Sequence, residues 1–353
     1  MNKEINLKVK SPNFLAMLIV FSMPNTLIAS LTPGLIQLGH YFNISSTSQL
    51  YYVTTLAILG YSIGPLVAPL IAAYYARKGV ILAGMILVII GICGNIVFSA
   101  FLTDYNLFLT FRFISGIGAG IALTAIPAMI HDYYNDTQAK KKLFNLTGIY
   151  CLWPGIILIL CSILTYYLSW EYIVYFLLFY GIVGLIAWFV LPETDPVKIK
   201  PENIFSIYVR SCMAQLVNFE FILYCLMGSM AGILMYFFVA EAPFIIIKKL
   251  HYSSSEYGYF VMLPYLLSFF SLMLGNIFSK QLTYRKCLLI SLTTLLVCSF
   301  AMLYSFLSGA INIFTFVGLS TIVLGVFSLI MGYSMTNAVK VSSYKVGKCN
   351  NIN

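Results

Sequence analysis

Apolar residues do not alternate along this chain. They run on in blocks of about twenty or more, parted by short polar breaks, at roughly 14–37, 49–75, 79–101, 106–130, 143–167, 170–191, 215–246, 256–279, 286–308 and 311–339. A bilayer core about 30 Å thick is crossed by roughly 20 helical residues rising about 1.5 Å each. Each block is long enough to span, so the pattern predicts an all-α integral membrane protein with about 10 transmembrane helices. The first block follows a short basic arm (Lys3, Lys8, Lys10), but it is long and shows no small-residue cleavage site before its polar turn, and it reads as a retained helix.

The longest polar stretch, LPETDPVKIKPENIFSIYVR at 191–210, leaves six blocks before it and four after. Three parts follow: an N-terminal six-helix bundle over 1–191, a cytoplasmic linker over 192–213, and a C-terminal four-helix bundle with a polar tail over 214–353. The junctions YYARKGVILAG and KQLTYRKCLLIS each place an Arg-Lys pair at the mouth of a new apolar helix. That faint repeat is how many secondary transporters are built.

Charge sets the orientation. With the N-terminus inside, 17 of the 20 Lys and Arg residues fall on the cytoplasmic side; Lys248 and Lys249 fall outside and Arg112 lies within a helix. Cytoplasmic loops are enriched in these residues, so the bias predicts a multi-pass protein with a cytoplasmic N-terminus. The net charge of +9 is thereby spread over many membrane borders and offers no patch for nucleic acid.

Composition narrows the class further. The chain is 61% hydrophobic and 9% charged with a mean hydropathy of +0.93, against about 25% charged residues in an ordinary soluble domain. Eight scattered cysteines without C-x-x-C spacing and three dispersed histidines predict neither metal nor cofactor. No nucleophile, base and orienting group recur at one place, so the chain is not expected to be an enzyme.

The chemistry concentrates in FRFISGIGAG at 111–120. Gly116 and Gly120 stand one helical turn apart, the spacing that lets two membrane helices approach closely. Arg112 lies about 9 Å inside its helix, where a guanidinium must reach a polar cavity, find a partner or snorkel to the outer interface. Of the eleven acids, eight fall in loops or at helix ends, leaving Asp132, Glu220 and Glu241. Asp132 follows His131 at an inner helix end, where it either titrates or sits in water; Glu220 reads as interfacial; Glu241, within YFFVAEAPF, either faces a cavity and carries protons or lies at the outer helix end. Arg112, Glu241 and Asp132 are the proton-coupling candidates. Asn25, Asn95, Trp153, Tyr236 and Phe237 are polar or aromatic residues in apolar helices, suited either to a substrate cavity or to packing. Pro127 and Pro154 free backbone groups that a cavity would have to satisfy, or are passive kinks.

RFISGIGAG, AMIHDYY, WEYIVYF, LPET and AEAPFII, in this order over about 14–339, resemble the drug:proton antiporters of the major facilitator superfamily, the bicyclomycin-resistance branch above all. The resemblance implies two six-helix bundles around a cavity open alternately to each side, with lipophilic small molecules expelled in exchange for protons. It implies a proton-coupling role for Arg112 and a bacterial inner-membrane location among membrane lipids. Gly116, Gly120, Pro154, Gly155, Arg77 and Lys78 fall in its packing and gating motifs.

The departures are specific. Alanine (Ala72 or Ala73) stands where the family has an acid before the basic pair, which leaves Arg77 and Lys78 without their carboxylate. Cys161 and Ser162 stand where a glycine pair is usual, and MPNTLIASLTP holds no acid. With four apolar blocks after the linker, the second bundle is expected to lack its last two helices. Proton-driven drug efflux leads, weakened by that shortening. The alternatives are a non-transporting remnant or membrane-embedded partner, and an uptake carrier for a small polar solute.

Overall fold

The computed structural model describes residues 11–194, 204–278 and 284–349, and all regular structure among them is helical. Among the described residues eight helices are long and apolar enough to cross a membrane, or nine if one bent pair is a single span. The arm with Lys3, Lys8 and Lys10 and the acids Glu4, Asp195 and Glu202 lie outside the described residues.

Three local differences from the sequence pattern have backbone causes. The block at 14–37 is not one rod but α1 (Phe14–Phe21), α2 (Met23–Ser30), a 3-10 turn (Thr32–Gly34) and α3 (Leu35–Tyr41), with a bend of 41° after α1. Pro24 and Pro33 lack the N–H that would continue the ladder. Thr32 Oγ1 instead donates to the Ala29 carbonyl that Pro33 cannot reach, at 2.8 Å. Within the expected linker, Ile204–Leu216 is helical. The expected polar tail continues the last helix to Cys349, there being no proline to stop it.

The remaining helices are α4 (Thr47–Tyr74), α5 (Arg77–Ala100), α6 (Tyr105–Tyr133), α7 (Asp136–Tyr167), α8 (Glu171–Val190), α9 (Ile204–Leu216), α10 (Phe219–Pro243), α11 (Ser254–Phe278), α12 (Tyr284–Leu307) and α13 (Ile313–Cys349). They fall into two compact units, 1–204 with 253–258, and 205–252 with 259–353.

In the first unit α6 is the axis, packed by α4 and α5. Lipid tails are as apolar as side chains, so close van der Waals contact between small residues must hold such helices together. A Cβ added at Gly64 would meet the backbone of Ile117 and Gly120 at 2.6–2.7 Å, and one at Gly84 the Gly118 carbonyl at 2.6 Å. Gly116 meets the Ala57 carbonyl and Gly120 the Tyr61 carbonyl too closely for any side chain. Gly116 and Gly120 thus face α4, while Gly118 faces α5. Asp104 caps α6, accepting from the amides of Asn106 and Leu107. Around that end Trp170 packs against Tyr41, Phe42 and Phe108, with ring centroids 5.3–6.1 Å apart.

The second unit packs by side chains. Phe327 and Ile330 of α13 form a small core with Met227 and Leu234 of α10 and Leu295 of α12. An apolar cavity of about 560 Å³ lies between α11 and α13, lined by Leu263, Leu267, Phe270, Val317 and their neighbours.

Candidate functional site

Arg112 is 1% exposed, the largest fully buried side chain of the described residues. Burying an unpaired charge is costly, so its five donors need acceptors. Two are backbone carbonyls: Nη2 donates to Leu27 O at 2.6 Å and Nε to Val53 O at 3.3 Å. The first is available because α2 is ending, and the Leu31 amide turns to Ala29 O instead of Leu27 O. The helix break beside Pro33 therefore supplies the acceptor that the cation needs. Among the described residues no carboxylate bonds to Arg112. The side chain neither snorkels nor forms an ion pair; it ties α6 to α2 and α4.

A second polar seam joins α2 to α7 and α8. Pro154 of α7 has no N–H for the Tyr150 carbonyl one turn earlier. Asn25 Nδ2 donates to that carbonyl at 3.0 Å. The Trp153 indole N–H donates to Thr26 Oγ1 at 2.9 Å, Ser22 Oγ shares a hydrogen bond with Tyr180 OH at 2.7 Å, and Tyr61 pairs with Tyr150. Asn25 and Trp153, singled out from the sequence, thus come together. Ser22, Thr26, Tyr61, Tyr150 and Tyr180 were missed, although Ser22 and Thr26 at i and i+4 share one face of an apolar helix.

The other cavity candidates separate. Asn95 is 3% exposed and donates to Phe108 O at 3.1 Å, which places it in the packed α5–α6 seam. In the second unit Tyr236 is half-buried and Phe237 is 63% exposed. Glu241 is half-buried in the last turn of α10, just before Pro243 and a π-helical turn (Phe244–Lys249) that carries Lys248 and Lys249. Glu220 lies in the first turn of α10 and is exposed. Pro154 and Gly155 are buried within α7.

The expectation that the basic pair stands without a carboxylate is overturned at Arg77. Arg77 Nε meets Asp132 Oδ2 at 2.7 Å, and its Nη2 reaches Oδ1 at 3.5 Å, with both side chains about a quarter exposed. Glu193 accepts from the backbone amides of Arg77 at 3.1 Å and Lys78 at 3.2 Å. The acid missing before the basic pair is replaced in space by acids 55 and 116 residues further on. Asp132 is therefore held by a guanidinium.

Known proteins resemble this chain in sequence and in fold. The family pattern described as Major Facilitator Superfamily matches residues 14–348. The multidrug resistance protein MdtL of Citrobacter koseri is 26% identical over 311 residues, 87% of this chain and 76% of its own length. MdtL of Salmonella paratyphi C is 27% identical over 219 residues, 61% of this chain, and the match spans about half (53%) of that relative. Among solved structures, the partially occluded inward-open conformation of the xylose transporter XylE from E. coli aligns with a TM-score of 0.69 at 14% identity, covering 93% of this chain and 83% of that one. At that identity the likeness is one of fold.

Proposed function

The chain belongs to the major facilitator superfamily, and from that premise we propose that this membrane transporter is a proton-coupled exporter of lipophilic small molecules, of the bicyclomycin-resistance type, working by alternating access. In this reading it crosses the bilayer about ten times, as six and four helices in parts 1–191 and 214–353 joined by 192–213, with its N-terminus in the cytoplasm. Relatives named as multidrug resistance proteins support the substrate class.

The observation that carries the reading is Arg112, a permanent cation buried inside a spanning bundle and held by Leu27 O and Val53 O. A guanidinium keeps its proton throughout, so its role is to fix positive potential where α2, α4 and α6 meet. The carried proton is assigned to a carboxylate, Glu241 first and Asp132 second. Asp132 follows because its ion pair with Arg77 would have to open before it could take up a proton. Asn25 and Trp153, which come together in the first unit, would receive the exported compound.

The test is resistance. In a host stripped of its own pumps, the chain should raise tolerance to ethidium or to an uncharged aromatic antibiotic, and Arg112→Ala should abolish the gain with membrane insertion unchanged. A well-inserted wild-type chain that gives no tolerance to any compound tried would leave the non-transporting partner in its place.

The α2–α7–α8 seam favours a second reading, carriage of a small polar solute, because it holds more hydrogen-bonding groups than the sequence suggested. Uptake of labelled xylose by the same cells, lost in Asn25→Leu, would favour it over export.

A further inference from the structure

Helix α5 begins without a cap of its own. Its N-cap is Ala76, whose methyl group accepts no hydrogen bond, so the first amides of the helix are orphans. An alanine there leaves two outcomes, water or a borrowed acceptor. The acceptor is Glu193, which places one carboxylate oxygen 3.1 Å from the Arg77 amide and the other 3.2 Å from the Lys78 amide. The Thr194 amide, at 3.0 Å from the first oxygen, holds the carboxylate in that pose.

The sequence LPET explains the delivery. Pro192 cannot continue α8, and the residue before a proline is driven into extended backbone. Leu191 has φ −70° and ψ 136° and is buried, so the chain leaves α8 straight and turns Glu193 towards α5. One turn back on α8, the Trp188 indole N–H donates to Lys78 O at 2.8 Å, and the Lys78 ammonium sits 4.8 Å from the centre of the same ring. Arg77, with its amide on Glu193, extends its guanidinium to Asp132 of α6. Three helices thus meet at one end of the first unit through two consecutive residues.

We propose that Glu193 is a positioning residue for transport: it caps α5 in trans, replaces the acid absent from the α4–α5 junction, and presents Arg77 to Asp132 so that these ends of α5, α6 and α8 move as one body. The inference rests on the transport reading for its function and on the hydrogen bonds alone for the cap. A negative group at a helix N-terminus is also favoured by the helix dipole, which is why an acid serves better here than an amide.

Three variants decide it: Glu193→Ala, Glu193→Gln, and Glu193→Ala combined with Ala76→Asp, which supplies an acceptor locally. Hydrogen exchange of the peptide spanning Arg77 to Val80 should speed up about fivefold in Glu193→Ala, the effect of a lost cap. Glu193→Gln should fall between that variant and the wild type, and Ala76→Asp should restore protection. In export of ethidium, or of the uncharged antibiotic if that is the probe moved, Glu193→Ala should lower the maximal rate severalfold with KM unchanged. Ala76→Asp should bring the rate back. Wild-type export by Glu193→Ala, or restored protection without restored export, overturns the positioning role. If the wild-type chain exports neither probe, the transport reading fails and the positioning role with it, while the exchange measurement still judges the cap: unaltered protection in Glu193→Ala overturns it.

Discussion

Between α4 and α6 of the first unit the backbones of Gly60, Gly64, Gly116 and Gly120 lie where side chains would otherwise stand, whereas at Gly232 and Gly318 of the second unit nothing among the described residues comes within 4 Å of an added Cβ. Both units are built from equally apolar helices. In the first, small residues recur on facing surfaces, so the rods close backbone to backbone and leave polar groups such as Arg112 no exit except each other. In the second, bulky side chains hold α11 and α13 apart over a cavity of about 560 Å³, even though they touch where Gly325 meets Leu267. Apolar composition takes a helix into the membrane; the placement of glycine decides whether it seals against its neighbour.

The sharpest break of this contrast is a side chain in the glycine seam. Gly60→Leu would drive a Cβ into the Phe113 carbonyl and the Ile117 amide, neither of which can yield. A loss of about 3 kcal/mol or more is expected, read as a large drop in the thermal unfolding midpoint in detergent. Gly318→Leu, which points into open space beside the cavity, should move the midpoint little. A similar drop at both positions would mean that the seam is no tighter than the groove.

Next in size is the pair Asn25 and Pro154. Asn25→Leu strips the Tyr150 carbonyl of its partner, a cost of about 1–3 kcal/mol for a buried acceptor. In a Pro154→Ala background the new backbone N–H takes that carbonyl, so the same substitution should cost at least about 1 kcal/mol less. A double-mutant cycle on denaturation free energies measures this; additive effects would show that Asn25 is not the partner Pro154 requires.

A smaller effect is expected where a glycine packs against nothing. Gly232→Ala should raise stability by about 0.5–1 kcal/mol, the gain from a less flexible unfolded chain. A fall would place unseen packing there. The smallest is the ion pair. Asp132→Asn should cost at most about 1 kcal/mol, because the pair is a quarter exposed, and the difference should shrink as salt is raised. A loss that salt does not change would point to a role beyond charge.

Much of this architecture is legible in the chain itself. Unbroken apolar blocks require helices that satisfy their own backbone in lipid, and the spacing of Gly116 and Gly120 marks a close-packed face before any partner is known. The bend inside 14–37 is encoded as well, in Pro24 and Pro33, but hydropathy averages across it. Asn95 misleads for a different reason: a polar residue in an apolar helix looks the same whether it faces a cavity or, as here, binds the Phe108 carbonyl in a neighbouring helix.

From the order of residues alone came the kind of molecule this is: apolar helices long enough to cross a membrane, with a cation and a close-packed glycine face inside one of them, because solvent preference and helical period are local properties. The identity of each polar group's partner was out of reach. Arg112 with Leu27 O lies 85 positions apart, Asp132 with Arg77 55, and Glu193 with the Arg77 amide 116. Such pairs depend on how far each helix is rotated and slid against the next, and that is set by close packing over the whole bundle.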